Sequence, residues 1–308
     1  MPDTNIDLSA WGVDLGAYRV FTPPDPFEDH VGPIYHRIEG DARAANTVHC
    51  VLPTTEAQHR NAGGVLHGGA LITFADYALC LIAGRAADGG TNSSFALTVN
   101  LSLEFTEAGK VGPPLEARGE PLQVTGRLAF ARGSIVQEGR TLALWSGVCR
   151  HVARDKAMAR KDASALEAPA IAVAQPVPAG YAALTRPSNF MNHVGAIYSR
   201  RDERGTHVIQ PTLPHQCNSG GVLHGGFTMG FADNALITAV RDMEDKYTST
   251  VHFSAEFLAA GDLSAPLETL VEVPRMSRSL AFTRGVVMQG DRRLLSYSAL
   301  VALRDRKT

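Results

Sequence analysis

The chain has 308 residues, 44% of them hydrophobic and 19% charged, the composition of a folded globular protein with room for two ordinary domains. Its formal net charge of -2 gives no electrostatic basis for binding nucleic acid or an anionic membrane surface.

Residues 1–17 read as an N-terminal extension. They begin MPDTNIDLSAWG, without the basic and then apolar pattern of a secretory signal, so a cytoplasmic location is expected. No later segment is expected to approach the roughly 20 apolar residues of a bilayer span. A first folded unit is placed at 18–152. Within it a strand is expected near residues 46–53, followed by the glycine-rich stretch NAGGVLHGG at 61–69. Gly68 and Gly69 open the apolar run ALITFADYALCLIAGRAA, long enough to be a buried helix rather than a strand. From Phe95 to Phe105 the apolar residues fall at every odd position, and Thr98, Asn100, Ser102 and Glu104 occupy the alternate positions, the period of a half-buried strand. Three more strands are expected at about 115–125, 128–137 and 142–152, the last two joined by the hairpin turn EGRT.

Residues 153–180 read as a connector, charged at first and then rich in alanine and proline, stiffened by Pro176 and Pro178, with room for a short helix in its first half. The remainder, 181–308, repeats the first unit. NSGGVLHGG at 218–226 differs from NAGGVLHGG at one position, and FADNAL from Phe231 answers FADYAL from Phe74 at the same spacing of 157. HVGAIY from His193 answers HVGPIY from His30 at 163, and LAFTRG from Leu280 answers LAFARG from Leu128 at 152. A weaker lead-in aligns Tyr18, Thr22, Pro24 and Phe27 with Tyr181, Thr185, Pro187 and Phe190. Colinear matches of this length identify an internal duplication. Each copy is then α+β, one buried helix with an antiparallel sheet wrapped around it. The second copy's strands are expected near 251–257, 267–276, 280–289 and 294–303.

Chemistry concentrates around the helix start of each copy. The pairs Gly68-Gly69 and Gly225-Gly226 put side-chain-free backbone at a helix N-terminus, where unpaired N–H groups and a partial positive charge suit a carbonyl developing negative charge. The alternative reading of the glycines is tight packing of helix on sheet. Asp76 lies inside an apolar helical run beside Phe74, Ala75, Ala78 and Leu79, a costly place unless it is paired or functional, and burial would raise its pKa towards the range of a general base. Its recurrence as Asp233 in the same setting favours function. Asn61 and His67, with Asn218 and His224 in the second copy, precede the glycines as donors to a substrate carbonyl or as loop formers. His67 and Asp76, nine residues apart on opposite helix faces, do not suit a metal, and none is expected. The four cysteines, Cys50, Cys80, Cys149 and Cys217, form no CxxC pair and read as reduced filler. His30 and His193 are read as structural.

The pattern N-x-G-G-V-x-H-G-G followed by F-A-D resembles the hotdog-fold acyl-CoA thioesterases of the phenylacetate-degradation and 4-hydroxybenzoyl-CoA type, and the resemblance covers both copies. It implies two tandem hotdog domains paired through their sheets, with the aspartate of one unit facing the asparagine and glycine turn of the other. Carried over, Asp76 would work with Asn218, His224 and Gly225, and Asp233 with Asn61, His67 and Gly68. Thr98 and Thr250 match a position whose hydroxyl orients the attacking water. The substrate implied is acyl-CoA with no separate cofactor, and a homodimer of the fused pair is expected. Coenzyme A carries phosphates, so Arg127, Arg132, Arg278 and Arg284 around the duplicated LAF strand are candidate contacts, with solvated hairpin charge as the alternative. A non-catalytic acyl-CoA-binding sensor or scaffold and a hotdog hydratase are the competing readings. Both copies keep the complete Asn, His, Gly-Gly and Asp set, which argues against a sensor. Differences such as Tyr77 against Asn234 and Trp145 against Tyr297 leave room for the two sites to differ in substrate or rate.

Overall fold

The computed structural model describes residues 8–22, 24–91, 93–153, 175–184, 188–244 and 246–305. The expected linker helix, most of the connector and the lead-in positions Thr185 and Pro187 lie outside these residues. In the first repeat, the strands are β1 (Arg19–Val20), β2 (Tyr35–Ile38), β3 (Val48–Leu52), β4 (Ser94–Phe105), β5 (Leu115–Thr125), β6 (Leu128–Gln137) and β7 (Arg140–Ala153). The helices are α1 (Pro26–Val31), α2 (Glu56–His59) and the long α3 (Gly68–Asp88). The second repeat contributes β8 (Ala182–Ala183), α4 (Asn189–Val194), β9 (Tyr198–Asp202), β10 (Gly205–Gln210), α5 (Gly225–Met243), β11 (Tyr247–Phe257), β12 (Leu267–Met276), β13 (Leu280–Gln289) and β14 (Arg292–Arg304).

All fourteen strands form one antiparallel sheet in the order β1-β2-β3-β5-β6-β7-β4-β11-β14-β13-β12-β10-β9-β8, a palindrome of the two repeats about the β4–β11 pair. Ser102 sits opposite Ser254 there, flanked by Leu103 opposite Phe253 and Leu101 opposite Ala255. Ser254 is the residue of the second repeat equivalent to Ser102, so a pseudo-two-fold axis passes between them, and their hydroxyls are 2.8 Å apart.

The sheet curls around α3 and α5, which pack on each other through small residues. A Cβ on Gly226 would stand 2.9 Å from Thr73 Cα, and one on Gly230 would stand 3.8 Å from Gly69 Cα. Phe74, Ile72, Leu79, Phe231, Leu236 and Phe253 fill the space between helices and sheet and are each at most 1% exposed. Burying such side chains stabilises the fold by roughly 1.5–3 kcal/mol apiece. By length and apolarity α3 could cross a bilayer, contrary to the expectation that no segment would, yet 78% of its apolar window is buried within the protein.

The strict alternation read along β4 holds only in its second half. Leu101 and Leu103 are fully buried, but Leu97 is 46% exposed. The cause is a β-bulge between Thr98 and Asn100 in the pairing with β7, repeated between Thr250 and His252 where β11 pairs with β14. One extra residue reverses the faces, and so turns Thr98 and Thr250 towards the helices.

His30 and His193, read as structural, are each other's partners. Their rings stack with centroids 3.9 Å apart and planes 2° apart, and each Nε2 donates to the other residue's backbone carbonyl at 2.7 and 2.6 Å. This reciprocal contact joins α1 to α4.

Candidate active site

Each long helix starts with a glycine because a side chain there would strike the other repeat. A Cβ on Gly225 would stand 2.8 Å from Asp76 Oδ2, and one on Gly68 would stand 2.9 Å from Asp233 Oδ2. Two carboxylates of the helix interiors thus lie against the N-termini of the opposite helices. Asp76 and Asp233 are 4% and 3% exposed.

The bulges supply the other partner of each carboxylate. Thr98 Oγ1 donates to Asp76 Oδ1 at 2.6 Å and Thr250 Oγ1 donates to Asp233 Oδ1 at 2.7 Å. Burial raises both carboxyls above the ordinary range. For Asp233 this outweighs the Thr250 bond and the attraction of Arg241 and carries it up to about 6. Asp76 moves in the same direction against the pull of His224, Thr98 and the Gly226 N–H.

His67 and His224 are the N-caps of α3 and α5. Their Nδ1 atoms accept from Gly69 N–H and Gly226 N–H, each at 2.9 Å. The N–H of the second glycine of each pair thus bonds to the capping imidazole, and a Cβ there would meet Phe190 or Thr73. The N–H groups of Gly68 and Gly225 carry no such bond among the described residues.

Asn61 and Asn218 form the preceding turns. Asn61 Oδ1 accepts from Gly63 and Val65 N–H at 2.8 and 3.2 Å, and Asn218 Oδ1 accepts from Gly220 and Val222 N–H at 2.8 and 3.3 Å. Their amide nitrogens are the other polar ends, that of Asn61 donating to Leu66 O at 3.5 Å.

A cavity of about 550 Å³ opens at Asp233, with Asn61, His67, Gly68 and Thr250 in its wall. Leu66, Leu71, Phe105, Met191 and Ile237 supply apolar lining from both repeats. Its size lies within the usual 300–1,000 Å³ of small-molecule sites.

The arginines expected to contact coenzyme A stand apart from this cavity. None of Arg127, Arg132, Arg278 and Arg284 lines this cavity. Arg132 pairs with Glu120 and Arg284 with Glu272, each at 2.7 Å, across neighbouring strands. Arg132 precedes Gly133, which pairs with the buried Trp145, so strand alternation puts the arginine on the outer face of the sheet. The cations at the cavity are Arg241 of α5 and Arg304 of β14. Arg241 carried a readable signal: it interrupts an apolar helix where the first repeat has Gly84.

The sequence reading also missed Asp25 and Glu28 of α1. Glu28 Oε1 accepts from His224 Nε2 at 3.3 Å, and Asp25 caps α1 while accepting from Ser219 N–H at 2.8 Å. Asp25, Glu28 and His224 bring three metal-capable atoms within 4.8 Å of one another. Both Asp25 oxygens are already bonded to backbone N–H groups, so the set serves as a capping network.

Residues 63–144 match the family described as Thioesterase superfamily, and residues 213–303 match the one described as Acyl-CoA thioesterase N-terminal domain, together more than half of the chain. A Pseudomonas aeruginosa protein named as a candidate esterase is 26% identical over 130 residues, 41% of this chain and 97% of that protein. A candidate thioesterase from Novosphingobium aromaticivorans superposes with a TM-score of 0.61 at 15% identity, covering 87% of this chain and 98% of that one. A hot dog fold protein from Alicyclobacillus acidocaldarius gives 0.60 at 15% identity over 91% and 98%. The acyl-CoA thioesterase II of Mycobacterium marinum gives 0.54 at 11% identity over 84% and 92%. At these identities the solved structures establish a shared fold, two hotdog units in tandem.

Proposed function

Since this chain belongs to the thioesterase superfamily and is a thioester hydrolase of two tandem hotdog domains, we propose that it hydrolyses acyl-CoA thioesters at two composite sites, each assembled from both repeats. The observation that carries the reading is the contact of each helix-borne carboxylate with the opposite helix N-terminus, Asp76 with Gly225 and Asp233 with Gly68.

The chemistry follows from that contact. The thioester carbonyl oxygen accepts from the Gly68 or Gly225 N–H, reinforced by the helix dipole and by the amide of Asn61 or Asn218. The carboxylate either takes a proton from water as that water attacks the carbonyl carbon, or attacks that carbon directly. Direct attack expels the coenzyme A thiolate and forms an anhydride that water then hydrolyses to the free acid. Thr98 or Thr250 holds one carboxylate oxygen and leaves the other to react. The thiol of coenzyme A leaves readily, its ordinary pKa being about 8.5. At the Asp233 site the apolar wall of Leu71, Phe105 and Ile237 receives the acyl group, and Arg241 and Arg304 supply positive charge for an anionic part of the substrate.

Free thiol release from short, long and aromatic acyl-CoAs tests the reading. Turnover should fall by about 10²–10⁴-fold in Asp76→Ala/Asp233→Ala. A folded wild type that hydrolyses none of the panel would remove the acyl-CoA assignment.

A further inference from the structure

The two composite sites share the Asn, His, Gly-Gly, Asp and Thr set; they differ in lining residues, such as Arg241 where the first repeat has Gly84, and in where the histidines find their outer partners. Each imidazole spends Nδ1 on a glycine N–H, so its proton sits on Nε2, facing away from the helix end. At the Asp76 site that N–H meets the carboxylate of Glu28, on α1, at 3.3 Å. In the second repeat the position of Glu28 is held by Met191, while the neighbouring aromatic contact is kept, Phe190 lying on His67 at 4.7 Å as Phe27 lies on His224 at 5.1 Å. Near His67 the side chain of Asn234, on α5, favours the protonated imidazole, while its own amide donates to Gly230 O at 2.9 Å. The first repeat has Tyr77 at the position of Asn234, and its hydroxyl is held by His36 Nδ1 at 2.7 Å. The Asp76 site therefore gives its histidine a carboxylate at 3.3 Å, and among the described residues the Asp233 site has no counterpart to it.

We propose that Glu28 is a positioning residue for the Asp76 site alone, holding His224 in the tautomer that caps α5 and thereby setting the α5 N-terminus against Asp76, so that the two sites of one chain work over different pH ranges. This rests on the reading of both sites as hydrolytic.

The electrostatics run the same way. Burial lifts Glu28 to about 7, opposed by His224 and reinforced by Asp25 and Asp76, with Cys50 and Tyr77 also facing it. Burial alone would lower His224, but Asp25, Glu28 and Asp76 overcome this and raise it. The Gly226 N–H aimed at Nδ1 resists a proton there. As pH falls through neutrality Glu28, lifted to about 7, loses the charge that holds the His224 Nε2–H. His67 has no carboxylate at this distance; burial and Arg241 hold it down at about 4.

The test uses full-length single-site enzymes. In the Asp233→Ala background, Glu28→Gln keeps an acceptor but removes the charge, and the acid limb of kcat should move down by about one pH unit. Glu28→Met, which copies the second repeat, should lower kcat about tenfold or more with little change in KM. In the Asp76→Ala background neither variant should change kcat, KM or the pH profile. Equal effects in both backgrounds, or an unmoved acid limb, would overturn the proposal. Imidazole ¹⁵N titration of His224 gives a second readout, expected to move by about one unit in Glu28→Gln. If Asp233→Ala is inactive on every thioester, it is the two-site reading that fails, and an unmoved His224 titration would then still overturn the role of Glu28.

Discussion

Asp233 Oδ2 lies 2.9 Å from where a Cβ on Gly68 would stand, a carboxylate of one repeat touching the first helical residue of the other. The contact tells activity apart from stability. Alanine is a better helix former than glycine by up to about 1 kcal/mol, which offsets part of the cost of the contact, so Gly68→Ala should lower the melting temperature only slightly. It should nonetheless push the carboxylate off its hydrogen bond and cost about 10²–10³-fold in kcat/KM, measured with Asp76→Ala present so that only this site reports.

The threonine hydroxyls stabilise the charged form of their carboxylates, so their loss should raise the carboxyl pKa further. Thr250→Val in the Asp76→Ala background should shift the acid limb of the pH–rate profile above about 6, while Thr250→Ser should leave it in place. A profile that does not respond would detach the hydroxyl from the reacting carboxylate.

Asp233 also ties stability to pH. Its folded pKa, about 6, lies above the ordinary 3.8, so the contribution of the protonated form is fully present below 3.8 and is lost as pH rises through 6. Asp233→Asn should therefore be more stable than wild type at pH 8, by an amount on the order of 3 kcal/mol, with the advantage vanishing near pH 4. Urea midpoints at the two pH values measure it; an equal difference at both would contradict the assignment.

His59 works with the opposite sign. Its Nδ1 accepts from Thr55 N–H at 2.9 Å and its Nε2 donates to Val31 O at 2.8 Å, and burial lowers its pKa to about 4. The stability it supplies is present above 6.5 and is lost as pH falls through 4. His59→Gln should be destabilised by about 1–3 kcal/mol at pH 7, with the gap to wild type narrowing as pH approaches 4 in paired thermal melts.

Much of this architecture is legible in the residues. The duplication, the two buried helices and the long strands follow from repeat spacing and period, and the cross-repeat pairing of Asp76 with Gly225 follows from the family resemblance. What escapes has identifiable causes. The bulge at Thr98 inserts one residue into an otherwise regular alternation, so Leu97 looks buried and is not. Helix α1 spans only Pro26–Val31, too short for a hydrophobic period, although Asp25 followed by proline is an N-cap signal. Glu28 was hidden with it. Arg132 and Arg284 sit beside a duplicated motif in sequence, but strand alternation sends them to the opposite face of the sheet.

The axis between Ser102 and Ser254 has a consequence for heredity. In a pair of identical chains joined across such an axis, every substitution is made twice, and a change that improves one site is imposed on the other. Here the partners share one chain, and a codon altered in one half leaves its counterpart alone. Glu28 opposite Met191 and Tyr77 opposite Asn234 are changes of that kind. Fusion broke the symmetry of inheritance while keeping the symmetry of the fold, and each site was thereafter free to evolve on its own.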